Sequence, residues 1–165
     1  MEIKKAYEKL LSSEEYKSFR KNEKKSYLTH AALITEANKK DGWEFGFYNK
    51  ETDRITTFTT NPLKRQPEDQ AFKQEGSTIK KLDLEKINTT YKEITILAEQ
   101  YRNKNYPSEQ VIKIIAILQH LHKQLWNITL ITKSFSIINL KIDAKTKELL
   151  SASKSSIMDL GLDKF

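Results

Sequence analysis

The chain has 165 residues, a net charge of +7 and no cysteine. That length suits one domain or two closely packed small units, large enough to fold without a disulfide or metal staple. The missing thiols exclude a disulfide framework, a cysteine zinc site, an Fe–S cluster and a thiol nucleophile.

Ile3, Ala6, Tyr7, Leu10 and Leu11 recur at helical spacing and predict a helix over 2–11. Ser12-Ser13-Glu14-Glu15 predicts a capping box, with Ser12 and Glu15 satisfying each other's backbone amides. A second helix follows to Asn22, turning Tyr16 and Phe19 inward, and Arg20 to Lys25 form its basic end, where cations complement the helix dipole. Tyr27 to Ile34 then reads as a strand, and Asn38 to Gly42 as a turn. Trp43, Phe45 and Phe47 alternate with Glu44, Gly46 and Tyr48, a strand with its aromatic face toward the core. Ile55 to Thr60 closes a three-stranded meander. Residues 61–82, with Pro62, Pro67 and Gly76, read as a polar, exposed connection.

Ile87, Tyr91, Ile94, Ala98 and Tyr101 step by four, three, four and three, one apolar stripe of a helix over 89–104 that Pro107 ends. The β-branched density of Val111 to Leu121 favours a buried strand. Strands follow at Gln124 to Thr132, Phe135 to Asp143 and Glu148 to Ser153, with a turn at Ala144 to Lys147. The apolar residues of the tail from Met158 are expected to dock on the body. Helix, long strand and a strand opened by Trp occur twice, with Trp43 and Trp126 at matching places. We therefore expect an α+β protein of two tandem helix-plus-antiparallel-sheet units packed into one body. Residues 1–62 would form the first unit, 63–84 the connection and 85–165 the second.

The charge is interleaved. Residues 1–60 carry 12 Lys and Arg against 10 Asp and Glu, and residues 111–165 carry 8 against 4. Such mixing describes a solvated surface more than a dedicated nucleic-acid stripe. No apolar run opens the chain or approaches the ~20 residues that span a bilayer, so a cytoplasmic protein without a membrane partner is expected.

Catalytic constellations are not evident. His120 and His122, two apart, would share a strand face and could share a metal, but they read better as polar positions at a strand end. There is no Gly-x-Ser-x-Gly elbow and no glycine-rich phosphate loop, since Gly42, Gly46, Gly76 and Gly161 are scattered singly. We assign no catalytic residue, no cofactor and no metal. On the late strands Ile138, Leu140 and Ile142 should face the core and Asn139, Lys141 and Asp143 solvent. No outward aromatic stands among them to stack bases, as an RNA-binding sheet requires. The candidate partner-binding residues are Asn127, Thr129, Lys133, Asn139 and Lys141.

The second half resembles a PepSY domain, a module with a helix packed on a cystatin-like antiparallel sheet. Ile87 to Glu99 resembles the family's opening helix. Trp126-Asn127-Ile128-Thr129-Leu130 resembles its central strand, which typically begins with an aromatic. Leu140 to Leu150 resembles the closing hairpin, apolar–Asp–Ala–x–Thr–Gly–Glu–apolar, with Lys147 where the family usually has Gly. The resemblance implies a non-catalytic binding or regulatory role toward a protein partner. The alternative, drawn from the basic final third, is an RNA- or ribosome-associated factor.

Overall fold

The computed structural model describes residues 2–36, 42–71 and 77–157. The expected turn at Asn38 to Gly42, apart from Gly42 itself, and the tail from Met158 lie outside these residues. Two short helices open the chain, α1 (Ile3–Ser12) and α2 (Glu14–Asn22). They break one residue later than the expected capping box. Ser13, with φ −74° and ψ 149°, is extended, and its Oγ accepts the amide of Tyr16 at 3.2 Å. Ser12 is still helical, so its hydroxyl folds back onto the Lys9 carbonyl, the local bond that a helical serine makes instead of capping.

Strands β1 (Tyr27–Glu36), β2 (Glu44–Asn49) and β3 (Arg54–Thr60) form the predicted meander. The stretch read as an exposed connection is partly built into the sheet. Its residues form β4 (Leu63–Arg65) and β5 (Asp69–Gln70), both paired with β3. Further on, Leu82 and Leu84 are buried, and the Leu82 amide donates to the Leu28 carbonyl at 2.8 Å. The main helix, α3 (Tyr91–Asn105), opens with a full capping box between Thr90 and Glu93. Then come β6 (Val111–His120), β7 (Gln124–Thr132), β8 (Ser136–Asp143) and β9 (Leu149–Ser156).

Among the described residues, these nine strands make one antiparallel sheet in the order β4-β3-β2-β1-β6-β7-β8-β9, with β5 also on β3. The order is symmetric about the β1–β6 seam, where Ala31 faces Leu118 and Ile34 faces Ile115. The protein is thus α+β and dominated by its sheet.

The helices lie on one face. Ile3, Ala6 and Leu10 of α1, Phe19 of α2 and Ile94 and Ala98 of α3 share a core with Phe45, Phe47, Phe58, Trp126, Ile128 and Leu140. Alternation places all these strand residues on the same side. Trp43 and Trp126 meet in this layer, ring centroids 6.2 Å apart.

Two local features shape the opposite face. A bulge at Thr29 re-aims β1, and the His30 ring then lies directly over Gly46. A Cβ at Gly46 would stand 2.0 Å from the His30 Cε1, so only glycine admits the ring. At the other end, Asp143 was expected to face solvent and is buried instead. Its Oδ1 accepts the amides of Lys145 and Thr146, and its carboxylate pairs with Lys123 at 2.8 Å. An aspartate that closes its own turn in this way must point along the chain, not away from it. Lys147 completes the turn with φ 66°, the left-handed conformation in which Gly is more usual.

Candidate partner-binding face

With all three helices on one side, the other side of the sheet is uncovered by any described helix. Its rows follow from the register. Ala32 stands beside Ile117, and Ile117 beside Asn127; Ile34 stands beside Ile115, and Ile115 beside Thr129; Ile131 stands beside Ile137. These side chains are half-buried, unlike their fully buried neighbours on the helix side. The centre of the face is therefore an aliphatic strip that β6 supplies because it is apolar on both sides.

Beside the strip lies a polar cluster. Asn127 pairs with Lys141 and Thr129 with Asn139 across β7 and β8. The Asn139 amide donates to the Asn127 Oδ1 at 2.7 Å and to the Thr129 Oγ1 at 3.0 Å. These bonds engage one lone pair on each neighbour, and the Asn127 amide, the Thr129 hydroxyl and the Lys141 ammonium remain as donors toward solvent. Ser151 and Ser153 on β9 continue the polar row. The structure thus brings together Asn127, Thr129, Asn139 and Lys141. It does not bring in Lys133, which is exposed in the β7–β8 turn, its amide bound to the Gln110 carbonyl. The aliphatic strip was missed by the sequence reading. The signal for it was present in the run Ile114-Ile115-Ala116-Ile117-Leu118, which puts apolar residues on both faces of one strand.

Other polar groups are engaged structurally. His120 contacts the Lys81 carbonyl through Nδ1 at 2.9 Å, and His122 lies in the turn after β6, so the two share no strand face. Among the described residues no three His, Asp or Glu side chains gather where a metal could sit. The densest cluster is Glu109, which pairs with Lys154 at 2.5 Å and accepts from the hydroxyls of Ser134 and Ser136. Lys154 also lies over the Tyr106 ring. The ammonium first, then the hydroxyls of Ser134 and Thr132, hold the Glu109 carboxyl down to about 2, far too low for a general base at neutral pH. The cluster fastens the β7–β8 turn and β9 to the end of α3.

Two more carboxylates are held down in the same way. Lys147, then the Thr90 amide and hydroxyl, lower Glu93 to about 2. Lys123 lowers Asp143 to about 2, helped by the turn amides of Thr146 and Lys145. Burial lowers the His30 pKa from 6.5. All four shifts are depressions, so the unfolded chain binds protons at a higher pH than the folded one. Each group therefore contributes stability above its unfolded value and loses it as the pH falls through the folded value. Unfolding free energy should begin to decline below about pH 6.5 through His30 and fall more steeply between about 4.5 and 2 through the carboxylates. Urea titrations from pH 7 to 2 will read this directly. A level profile across that range would show that the pairs are not formed in solution.

No family model matches the chain, and no curated protein matches it. The fold is similar to the crystal structure of a candidate lipoprotein from Clostridium difficile 630, with a TM-score of 0.53 and 15% identity. The match covers 84% of this chain and 89% of that one. At that identity the likeness is one of fold. No described helix is long and apolar enough to cross a membrane.

Proposed function

We propose that this chain is a non-catalytic protein-binding module that engages its partner through the helix-free face of the sheet. The observation that carries this is the aliphatic strip of Ala32, Ile34, Ile115, Ile117, Ile131 and Ile137, flanked by the donor-rich cluster of Asn127, Thr129 and Lys141. An apolar centre with a polar rim is the usual anatomy of a protein interface. On the β7–β8 side the rim offers donors and a positive charge, while on the other side Glu44 stands beside Ala32 and Glu36 is paired with Lys113. The partner that complements it is a protein surface with an apolar centre and acidic or carbonyl groups where it meets Asn127, Thr129 and Lys141.

The same reading takes the two halves as a tandem pair of PepSY-like units. It is supported by the symmetric strand order, by the facing tryptophans and by the left-handed residue at Lys147, where the family places glycine. The assumed location is the cytoplasm. Cell fractionation tests it, and the description of the structural neighbour makes an extracytoplasmic fraction the informative alternative.

The test compares the wild-type chain with Ile115→Glu/Ile117→Glu in affinity capture from the native cell, after thermal melts confirm that the variant is folded. A protein held by the wild type and lost by the variant is the expected result. Retention of the same protein by both, or recovery of RNA with steep salt dependence and no protein, would overturn the proposal.

A further inference from the structure

A concave site lies in the helical layer, away from the open face. It is a cavity of ≈ 280 Å³ between α1, α2, the start of β1 and the segment Lys81 to Glu85. Small-molecule sites start at roughly 300 Å³, so it suits a fragment-sized ligand. Its apolar wall is made by Phe47, Leu28 and Leu82, all buried.

Three donors converge on it. Tyr7 and Tyr16 line the cavity with their rings fixed by the aromatic core: Tyr7 lies 5.2 Å from Phe45, and Tyr16 lies 5.2 Å from Phe47. Neither phenol hydroxyl has a hydrogen-bond partner among the described residues. Burial raises both phenol pKa values, that of Tyr7 to about 12, so both are neutral O–H donors at physiological pH. Arg20 lies close enough for its charge to act on both phenols. One edge of its guanidinium is fixed: Nη1 donates to the carbonyls of Glu23 at 2.9 Å and Ser26 at 2.7 Å. No described carboxylate lies within ion-pair distance of it. Capping the end of α2 thus accounts for one nitrogen of Arg20 and leaves the remaining donors unmatched among the described residues.

Three acids also line the cavity, and Glu8 is exposed on α1. Glu85 is largely exposed and only loosely paired with Lys4 at 3.6 Å, while Asp83 accepts the Glu85 amide and faces Lys86. The lining thus balances Lys4, Arg20 and Lys81 against Glu8, Asp83 and Glu85, and within it Arg20 and the two phenols supply donors that no described carboxylate occupies. Arginine in this setting is well suited to carboxylate and phosphate oxygens.

We propose that the cavity binds a small organic anion, with a carboxylate or phosphate group held by Arg20, Tyr7 and Tyr16 and a compact apolar body against Phe47, Leu28 and Leu82. The test is calorimetric titration of the full chain with 3-phenylpropionate, phenyl phosphate and 3-phenylpropylamine, alongside inorganic phosphate. The two aromatic anions should bind and the amine should not. The tighter of the two anions identifies the headgroup. Arg20→Gln should weaken binding on the order of tenfold or more, the usual scale for a hydrogen bond to a charged group. Because Arg20→Gln also removes bonds to two carbonyls, the doubly substituted Tyr7→Phe/Tyr16→Phe is the second variant. It keeps the rings and their packing and should also weaken binding severalfold with an unchanged melting temperature. The proposal is overturned by absence of binding up to about 10 mM anion, by equal binding of the amine, or by affinities that both variants leave unchanged. Inorganic phosphate binding as tightly as phenyl phosphate would overturn the apolar half of the site.

Discussion

Replacing Trp126 by alanine should lower stability by about 3–5 kcal/mol, the range for emptying a fully buried large aromatic site. Trp126 is fully buried on β7, and its indole Nε1 donates to the Thr89 hydroxyl at 2.8 Å. Thr89 in turn donates to the Ala144 carbonyl at 2.9 Å, and that carbonyl also accepts the Asn88 amide. One indole thus ties the residue before the α3 cap to the turn between β8 and β9 and fills the seam against Trp43. The conservative variant separates packing from the hydrogen bond. Trp126→Phe keeps most of the volume and removes the donor, and should cost about 1–3 kcal/mol. Leu149→Ala, at a side chain 44% exposed, should stay within about 0.5 kcal/mol of the wild type. Urea midpoints at constant slope give all three values. A Trp126→Ala loss as small as that of Leu149→Ala would mean that the two halves do not share one core.

The parts of this fold that are legible in the sequence are those set by local period. The stripe of α3 and the alternation of Trp43, Phe45 and Phe47 each state which side of an element is apolar, and burial sorts accordingly. Period does not say which element lies next door. The β1–β6 seam joins residues about eighty positions apart in the chain, and nothing in either strand alone announces it. The same limit hid the aliphatic strip, because a strand apolar on both faces, such as β6, reads simply as buried. Asn127, Thr129, Asn139 and Lys141 were visible as outward positions, since each lies between core residues. Their hydrogen-bonded grouping depends on the β7–β8 register. Lys133 lies just beyond β7 in sequence, and the turn carries it off the face. Asp143 continued the outward phase of β8, but its carboxylate turns back to satisfy the amides that follow, a local bond stronger than the alternation. In the cavity, Tyr7 and Tyr16 scored as core positions and Arg20 as a helix end. Each reading was sound for one residue, and their convergence is visible only once α1 and α2 fold over the start of β1.

The contact between α3 and the sheet yields the second large effect. Ile94 and Ala98 are both fully buried, one turn apart, on a helix that packs against β7 and β8. Tyr91 flanks them, its ring edge-on to Trp43 at 6.0 Å and its hydroxyl 2.7 Å from that of Thr35 on β1. The helix is thus pinned on the seam side, and its capping box fixes its first turn, so it has little freedom to lift away. An indole at position 98 has no space to enter without moving the helix. Ala98→Trp should therefore destabilise by about 1–3 kcal/mol or more through overpacking. Ile94→Ala leaves a cavity beneath a helix that cannot settle into it and should cost about 2–5 kcal/mol. Lys92, on the exposed side, sets the baseline, and Lys92→Ala should change stability by no more than about 0.5 kcal/mol. Chemical denaturation of the three variants orders them. If Ala98→Trp and Ile94→Ala fell with Lys92→Ala, α3 would be a surface appendage, the helix-bearing side of the sheet would lose its cover, and the assignment of the opposite side as the open, partner-binding face would lose its basis.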